Sequence, residues 1–154
     1  MPRLQSLDIF RGLTIALMIL VNTPGDGRFI YGPLRHAEWH GWTITDAVFP
    51  SFVWIVGVAI TLSLGRKLEQ NTNKQSLYND IIRRSIFLFT LGLILYAFPT
   101  FPLDTFRILG VLQRIAICYA VTSFIFLNTS IRTQIILTAA MLLIYATIMR
   151  FLPA

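Results

Sequence analysis

The chain has 154 residues, of which 55% are hydrophobic and 13% charged, and its mean hydropathy is +0.67. This composition leaves too little polar surface for an ordinary soluble domain and favours a membrane protein. The formal net charge of +6 comes from 13 lysines and arginines against 7 acidic residues. Most of these cations flank or interrupt apolar runs instead of clustering on one polar face, which argues against a nucleic-acid partner. The single cysteine, Cys118, excludes an intramolecular disulfide.

Five mostly apolar windows of roughly 20 residues, the length of a transmembrane helix, are separated by short polar or Pro/Gly-bearing breaks. These windows are Leu4–Val21, Ile44–Leu64, Ile81–Phe98, Ile108–Leu127 and Thr133–Leu152. The third has Arg83 and Arg84 near its start, where long basic side chains can reach the lipid headgroups. The sequence therefore predicts an all-α integral membrane protein with about five transmembrane helices.

The distribution of cations predicts the orientation of these helices. The stretch 66–84 is the most basic connection, whereas residues 22–43 have balanced charges and residues 99–105 carry no cation. Because positively charged loops stay in the cytoplasm, the basic stretch and the amino terminus are expected there. The loop after the first helix is expected on the extracytoplasmic side, and the plasma (inner) membrane is the expected location.

Ionisable residues inside membrane helices are costly, so they are candidates for function. Asp8 and Arg11 are three residues apart in the first window and therefore share one face of a helix. They form either a structural ion pair or part of a binding site.

A second set of polar residues lies in the fourth window. Arg107 and Arg114 are seven residues apart and share a helix face, with Gln113 beside the second arginine. Two stacked guanidinium groups could bind a multiply charged anion such as a pyrophosphate. Alternatively, each arginine pairs with an acidic side chain. The candidate partners are Asp104 for Arg107, and Asp8 or Asp46 for Arg114.

Both histidines of the chain, His36 and His40, lie in the long loop between the first two windows. Their i,i+4 spacing could suggest zinc, but Trp39 and Gly41 break the helical context and a third ligand is not evident, so no metal site is predicted. His36 is a candidate general base or nucleophile. The alternative is an interfacial histidine in an aromatic belt with Trp39 and Trp42.

Asp46 has a structural interpretation of its own. The run Thr43-Ile-Thr-Asp46 matches the pattern of a helix start, in which an acidic side chain caps the first turn. Pro50 then falls within the first turns of that helix or kinks it. Capping alone would explain Asp46.

Four segments with uncommon sequence motifs, in this order along the chain, carry a more specific signal. They are Arg3–Gly12, Met18–Asn22, His36–Gly57 and Arg107–Ile115. Together they resemble the membrane acetyltransferases typified by heparan-alpha-glucosaminide N-acetyltransferase. The resemblance implies a transmembrane enzyme that transfers acetyl from cytoplasmic acetyl-CoA, its co-substrate, to the amine of a glucosamine residue across the membrane.

The same resemblance assigns roles to individual residues. It implies that His36, the histidine of the His-x-x-Trp-x-Gly motif, is catalytic and that Asn22 is its partner in the site. We infer from charge that the arginines contact the phosphates of the coenzyme. The candidate catalytic residues are His36, Asn22 and Asp46, and the candidate coenzyme-binding residues are Asp8, Arg11, Arg107, Gln113 and Arg114.

Members of this family have about twice as many membrane helices, so residues 1–154 are expected to form the amino-terminal half of the catalytic domain. The resemblance also implies a homodimer. The alternative function is a non-catalytic transporter or channel-like subunit for an anionic metabolite, with Arg11, Arg107 and Arg114 lining its path. The pair His36 and Asn22 discriminates between the two, because a transporter has no evident need for it.

Overall fold

The structure is a computed structural model that describes residues 4–23, 25–26, 28–38, 41–70, 73–98 and 109–151. These residues form five α-helices and one short 3-10 turn, and they contain no strand. The elements are α1 (Gln5–Asn22), the 3-10 turn (Gly32–Leu34), α2 (Ile44–Glu69), α3 (Lys74–Ala97), α4 (Val111–Asn128) and α5 (Ile131–Phe151). The predicted all-α architecture with five long helices is confirmed.

The third helix begins earlier than the sequence predicted. It starts at Lys74 instead of Ile81, because Asn73 caps it by accepting a hydrogen bond from the Gln75 N–H at 3.0 Å. Its first turns are polar and therefore carry no hydropathy signal. Asn is among the residues that favour the N-cap position, so the signal for this start was present in the sequence.

The second helix also exceeds its predicted window. It continues past Leu64 to Glu69, and its last turn carries Arg66 and Lys67. Cations at this end complement the partial negative charge of a helix carboxyl terminus. The ends of α1, α4 and α5 lie close to their predicted windows, although Ile108 and Leu152 fall outside the described residues.

Among the described residues, α1, α2, α4 and α5 are long and apolar enough to cross a membrane by length and composition. Helix α3 contains three charged residues, Asp80, Arg83 and Arg84, that interrupt its apolar sequence, and it does not meet the same criterion. Its apolar second half nevertheless follows the predicted third window. The chain is therefore an all-α membrane protein, and its described residues form four strongly apolar helices and a fifth that is half polar.

The chain forms two compact units, residues 1–62 and 63–154. In the first unit, the ring of Phe10 on α1 meets the ring of Trp54 on α2 edge to face, with centroids 6.1 Å apart. Val48, Ile55 and Ile60 are the buried apolar side chains along this part of α2. The loop between α1 and α2 belongs to the same unit.

In the second unit, α3 packs against α4. Tyr78 joins the start of α3 to the end of α4: its hydroxyl donates to Asn128 Oδ1 at 2.7 Å, and its ring stacks on Phe124 with centroids 5.5 Å apart. Leu77 and Ile81 beside it are completely buried. No residue of α5, Ile131–Phe151, is buried.

Candidate active site

The first turn of α2 is closed by Asp46. Helix α2 begins at Ile44, directly after Thr43, and the Oδ2 atom of Asp46 accepts hydrogen bonds from the Thr43 N–H at 3.1 Å and from the Thr43 hydroxyl at 3.0 Å. An acidic side chain that reaches back to the N-cap N–H is one half of a capping box. The capping role predicted for Asp46 is confirmed.

The same carboxylate also holds the preceding loop. His36 Nδ1 lies 2.7 Å from Asp46 Oδ1, and the Ala37 N–H donates to Asp46 Oδ2 at 3.2 Å. Because an ionised carboxylate only accepts hydrogen bonds, Nδ1 is the protonated ring nitrogen in the neutral imidazole. The lone pair of the ring is then on Nε2, the form that a general base needs.

The imidazole is accessible. The side chain of His36 is 72% exposed, whereas that of Asp46 is 28% exposed. Within the part of the chain that the structure describes, the ring makes no hydrogen bond other than the one to Asp46. A substrate can therefore approach Nε2, while Nδ1 is fixed from below by the carboxylate. A histidine that only belongs to an aromatic belt would not need such a specific hydrogen-bond partner.

The path of the loop brings two backbone donors to one carboxylate. After the 3-10 turn, Ala37 and Thr43 both direct their N–H groups at Asp46. Between them Gly41 has φ +141°, a conformation that side-chain-bearing residues rarely adopt, and a Cβ atom there would lie 3.5 Å from Ala37 Cβ. Sequence reasoning did not include Ala37, Gly41 or Thr43 among the site residues. The glycine in a turn and the threonine in the capping pattern were the available signals.

Comparison with known proteins identifies the family. The model of the family described as heparan-alpha-glucosaminide N-acetyltransferase, catalytic, matches residues 3–152. The chain belongs to this family. It is 40% identical to the heparan-alpha-glucosaminide N-acetyltransferases of Homo sapiens and Mus musculus over 126 and 125 residues. Each alignment covers 79% of this chain but 19% of the relative, so the chain spans less than one fifth of the length of these curated relatives.

Asn22, the predicted partner of His36 in this acetyltransferase family, is the last residue of α1. Its side chain is exposed, and Nδ2 donates to the Met18 carbonyl at 2.8 Å. Among the described residues no hydrogen bond joins Asn22 to His36. The amide nitrogen carries two hydrogens, so the second can still bind a substrate oxygen.

Asp8 and Arg11 form the ion pair that their spacing indicated. Arg11 Nη1 lies 3.5 Å from Asp8 Oδ1, and the two side chains are 41% and 34% exposed. Pairing lowers the cost of placing either charge in a membrane helix. The structural interpretation of these two residues is therefore supported, and a role in binding the coenzyme stays a prediction.

Gln113 and Arg114 are the candidate site residues that lie on α4, and their environments differ. Gln113 is 1% exposed and its Nε2 has no hydrogen-bond partner among the described residues, whereas Arg114 is exposed. Adjacent residues of a helix point in directions about 100° apart, which explains the contrast. Arg107 and its candidate partner Asp104 lie outside the described residues, so the arginine ladder stays a prediction.

Two glycines make room for Gln113. A Cβ atom on Gly92 of α3 would lie 2.8 Å from Gln113 Oε1, and one on Gly110 would lie 2.6 Å from it. Both distances are too short for a real contact, so neither position accepts a side chain without rearrangement. Gln113 therefore fills a slot at the start of α4 that the two glycines leave open.

The predicted absence of a metal site concerns the loop that carries both histidines. His40 and Trp39 lie outside the described residues. In the described part of the chain, no three histidine, cysteine, aspartate or glutamate side chains cluster in a way that could hold a metal ion.

Proposed function

We propose that the protein containing this chain transfers an acetyl group from cytoplasmic acetyl-CoA to the amine of a glucosamine-type sugar on the extracytoplasmic side of the membrane. The observation that carries this proposal is the accessible His36 ring with Nδ1 fixed by Asp46 at 2.7 Å. Family membership supports the reaction class, because the curated relatives are named as N-acetyltransferases of glucosaminide.

The chemistry follows from the tautomer of His36. The sugar amine attacks the carbonyl carbon of the thioester, and a C–N bond forms as the C–S bond breaks. His36 Nε2 accepts the proton that the amine loses and passes it to the departing thiolate of coenzyme A. The negative charge of Asp46 stabilises the imidazolium that exists between these two proton transfers.

Asn22 has a separate role in this scheme. Its exposed amide can donate its second N–H to the thioester oxygen as negative charge develops there. Alternatively it orients His36 directly, which would be one form of the partnership in the site that the family resemblance implies. The hydrogen bond from Nδ2 to the Met18 carbonyl holds the amide against the end of α1 in the free protein.

Coenzyme binding is assigned to the charged residues of the helices. Asp8 and Arg11 lie in the first two turns of α1, and Gln113 and Arg114 lie in the first turn or so of α4. Guanidinium groups bind phosphates through paired hydrogen bonds, so each of Arg11, Arg107 and Arg114 is a proposed contact of acetyl-CoA. The basic stretch 66–84 supports the orientation that puts the amino terminus in the cytoplasm.

The competing function is transport of an anionic metabolite along the arginines. Transport requires cations and a path through the membrane, but it gives no reason for a carboxylate to fix the tautomer of an exposed histidine. The contact between His36 and Asp46 therefore favours catalysis.

Residues 1–154 act as the amino-terminal half of a multi-pass catalytic domain, which is consistent with the small share of the relatives that they cover. The location is the plasma (inner) membrane, and the enzyme is a homodimer. Fractionation of cell membranes and multi-angle light scattering of the detergent-solubilised protein test the last two.

The deciding experiment measures transfer of labelled acetyl from acetyl-CoA to glucosamine by the complete gene product in liposomes. We expect His36→Ala to lower turnover by about 10²–10⁴-fold, the usual contribution of a general base. Glu38→Gln is a matched control, because Glu38 is an exposed charge two residues along the same loop. Undiminished turnover in His36→Ala would overturn the catalytic assignment, and transport of an anion without acetyl transfer would support the competing function.

A further inference from the structure

A groove runs along the outer face of α3. It consists of two shallow, open depressions of about 630 and 230 Å³, and Ile86 and Thr90 line both of them. The larger depression follows one stripe of the helix, in which successive members are one helical turn or less apart. Its lining residues are Asn79, Ile82, Arg83, Ile86, Phe87 and Thr90.

The smaller depression lies between α3 and α4. Small side chains, Ser85 on α3 and Ala116 and Ala120 on α4, leave it open, and Phe89 and Ile117 form further parts of its apolar walls. One end of the groove therefore carries Asn79 and a cation, Arg83, and the remainder is lined mainly by apolar side chains, together with Ser85 and Thr90.

The length of the apolar part of α3 fixes the depth of Arg83 in a bilayer. Residues 85–97 follow Arg84, and at about 1.5 Å per residue they cover roughly 20 Å, less than the ~30 Å hydrocarbon core. The arginines must therefore extend their side chains toward the headgroup region at one membrane surface. From Arg83 to Thr90 the groove descends about 10 Å into the hydrocarbon.

The charge of Arg83 is only partly compensated by acidic side chains, although Arg83 and Arg84 both interact electrostatically with Asp80. The acidic residue one turn earlier, Asp80, is engaged by Lys67, whose Nζ lies 2.7 Å from Asp80 Oδ2. Arg83 is exposed, and it forms no hydrogen bond or ion pair within the described residues. With Arg84 beside it, this end of α3 presents net positive charge at headgroup level.

We propose that this groove binds one anionic phospholipid. The lipid phosphate pairs with the Arg83 guanidinium, one acyl chain lies over Ile86, Phe87 and Thr90, and the second enters the cleft between α3 and α4 at Ala120. Charge complementarity selects an anionic headgroup over a zwitterionic one, because juxtamembrane cations attract anionic lipids, and the apolar walls accommodate the chains. The site is independent of the acetyl-transfer proposal.

The test is native mass spectrometry of the full chain released from nanodiscs that contain equal amounts of phosphatidylglycerol and phosphatidylcholine. We expect the first bound lipid to be phosphatidylglycerol with about fivefold preference, the effect of one well-placed cation. Arg83→Gln should remove this preference and Arg83→Lys should retain part of it. Arg132→Gln is the matched control, an exposed cation at the start of α5, and should keep the preference.

A second variant tests the acyl-chain part of the groove. Thr90→Trp fills the position shared by the two depressions and should weaken retention of phosphatidylglycerol without removing a charge. Circular dichroism verifies that each variant keeps its helical content. Equal retention of both lipids by the unaltered chain would overturn the proposal. An equal loss in Arg83→Gln and Arg132→Gln would also overturn it, and so would unchanged retention in Thr90→Trp.

Discussion

His36 Nδ1 and Asp46 Oδ1 lie 2.7 Å apart, although the two residues are ten positions apart in the chain. The contact joins an exposed loop to the first turn of a membrane helix. The other donors to the Asp46 carboxylate all bind Oδ2. They are the N–H groups of Ala37 and Thr43 and the Thr43 hydroxyl. One oxygen of Asp46 therefore serves the histidine, and the other serves the backbone and the helix cap.

The first prediction concerns Asp46→Asn. The asparagine oxygen can still accept from Thr43, so the helix start should persist, but the amide nitrogen can donate to His36 Nδ1 and move the ring proton to Nε2. We expect turnover to fall by about 10²–10⁴-fold, as for the loss of a general base, with unchanged helicity by circular dichroism. Asp26→Asn is the control, because Asp26 pairs with Arg28 in the same loop. Unchanged turnover in Asp46→Asn would contradict the role of the carboxylate.

The second prediction concerns Gly41→Ala. Gly41 has φ +141°, and a side chain in such a sparsely populated region costs about 1–3 kcal/mol. The variant should have a lower thermal unfolding midpoint in detergent micelles and lower turnover, because the loop no longer holds Ala37 and Thr43 at Asp46. Gly65→Ala in α2 is the control, since a Cβ atom there meets nothing within 4 Å. The interpretation fails if both variants have the same midpoint.

The third prediction concerns the contact between α3 and α4. In Gly92→Ala the new Cβ would lie 2.8 Å from Gln113 Oε1 and 2.9 Å from Leu112 Cβ, so the helices must separate. Overpacking of this kind typically costs about 1–3 kcal/mol. A lower unfolding midpoint is expected by differential scanning calorimetry in micelles, and Gln113→Ala in the same chain should restore part of it. Wild-type stability of Gly92→Ala would show that the slot is not filled by Gln113.

The fourth prediction concerns pH. The hydrogen bond from Lys67, together with its charge, holds the pKa of Asp80 below the ordinary value of 3.8. A carboxyl group with a lowered pKa stabilises the folded state above its unfolded pKa. The contribution is therefore fully present above pH 3.8 and is lost as the pH falls through the lower, folded-state pKa.

The measurement is a carboxyl ¹³C titration of labelled Asp80 in micelles. In Lys67→Met the titration midpoint should rise toward 3.8, whereas the control Lys74→Met should leave it unchanged. An unchanged midpoint in Lys67→Met would show that the hydrogen bond seen at 2.7 Å has no influence on the carboxyl group.

Hydropathy predicted five helices because each has an apolar run close to the length that a membrane requires. It could not predict the polar start of α3 at Lys74, since those residues have the composition of a loop and only the cap at Asn73 marks them. The capping role of Asp46 followed from residue types alone, because the pattern Thr43-x-x-Asp46 is local in sequence.

The pairing of Asp46 with His36 could not be derived in the same way. No periodicity connects a loop residue to a helix residue ten positions later, and the contact depends on a turn through Gly41 with positive φ. The difference between Gln113 and Arg114 was also hidden. Their adjacency suggested one binding surface, but packing against Gly92 buries the first and leaves the second exposed.

Asp46 caps the first turn of α2 and also fixes the tautomer of His36. When that turn frays, the hydrogen bond that keeps the proton on His36 Nδ1 is lost. Helix ends fray more readily than helix interiors, and by length and composition the first turn of α2 lies at one end of a membrane span. Bilayer thickness and composition can therefore change the fraction of molecules in which Asp46 holds His36 in the tautomer of a general base, without any ligand in the site. Reconstitution into lipids of different chain length should change the fraction of competent molecules in step with the order of this single turn.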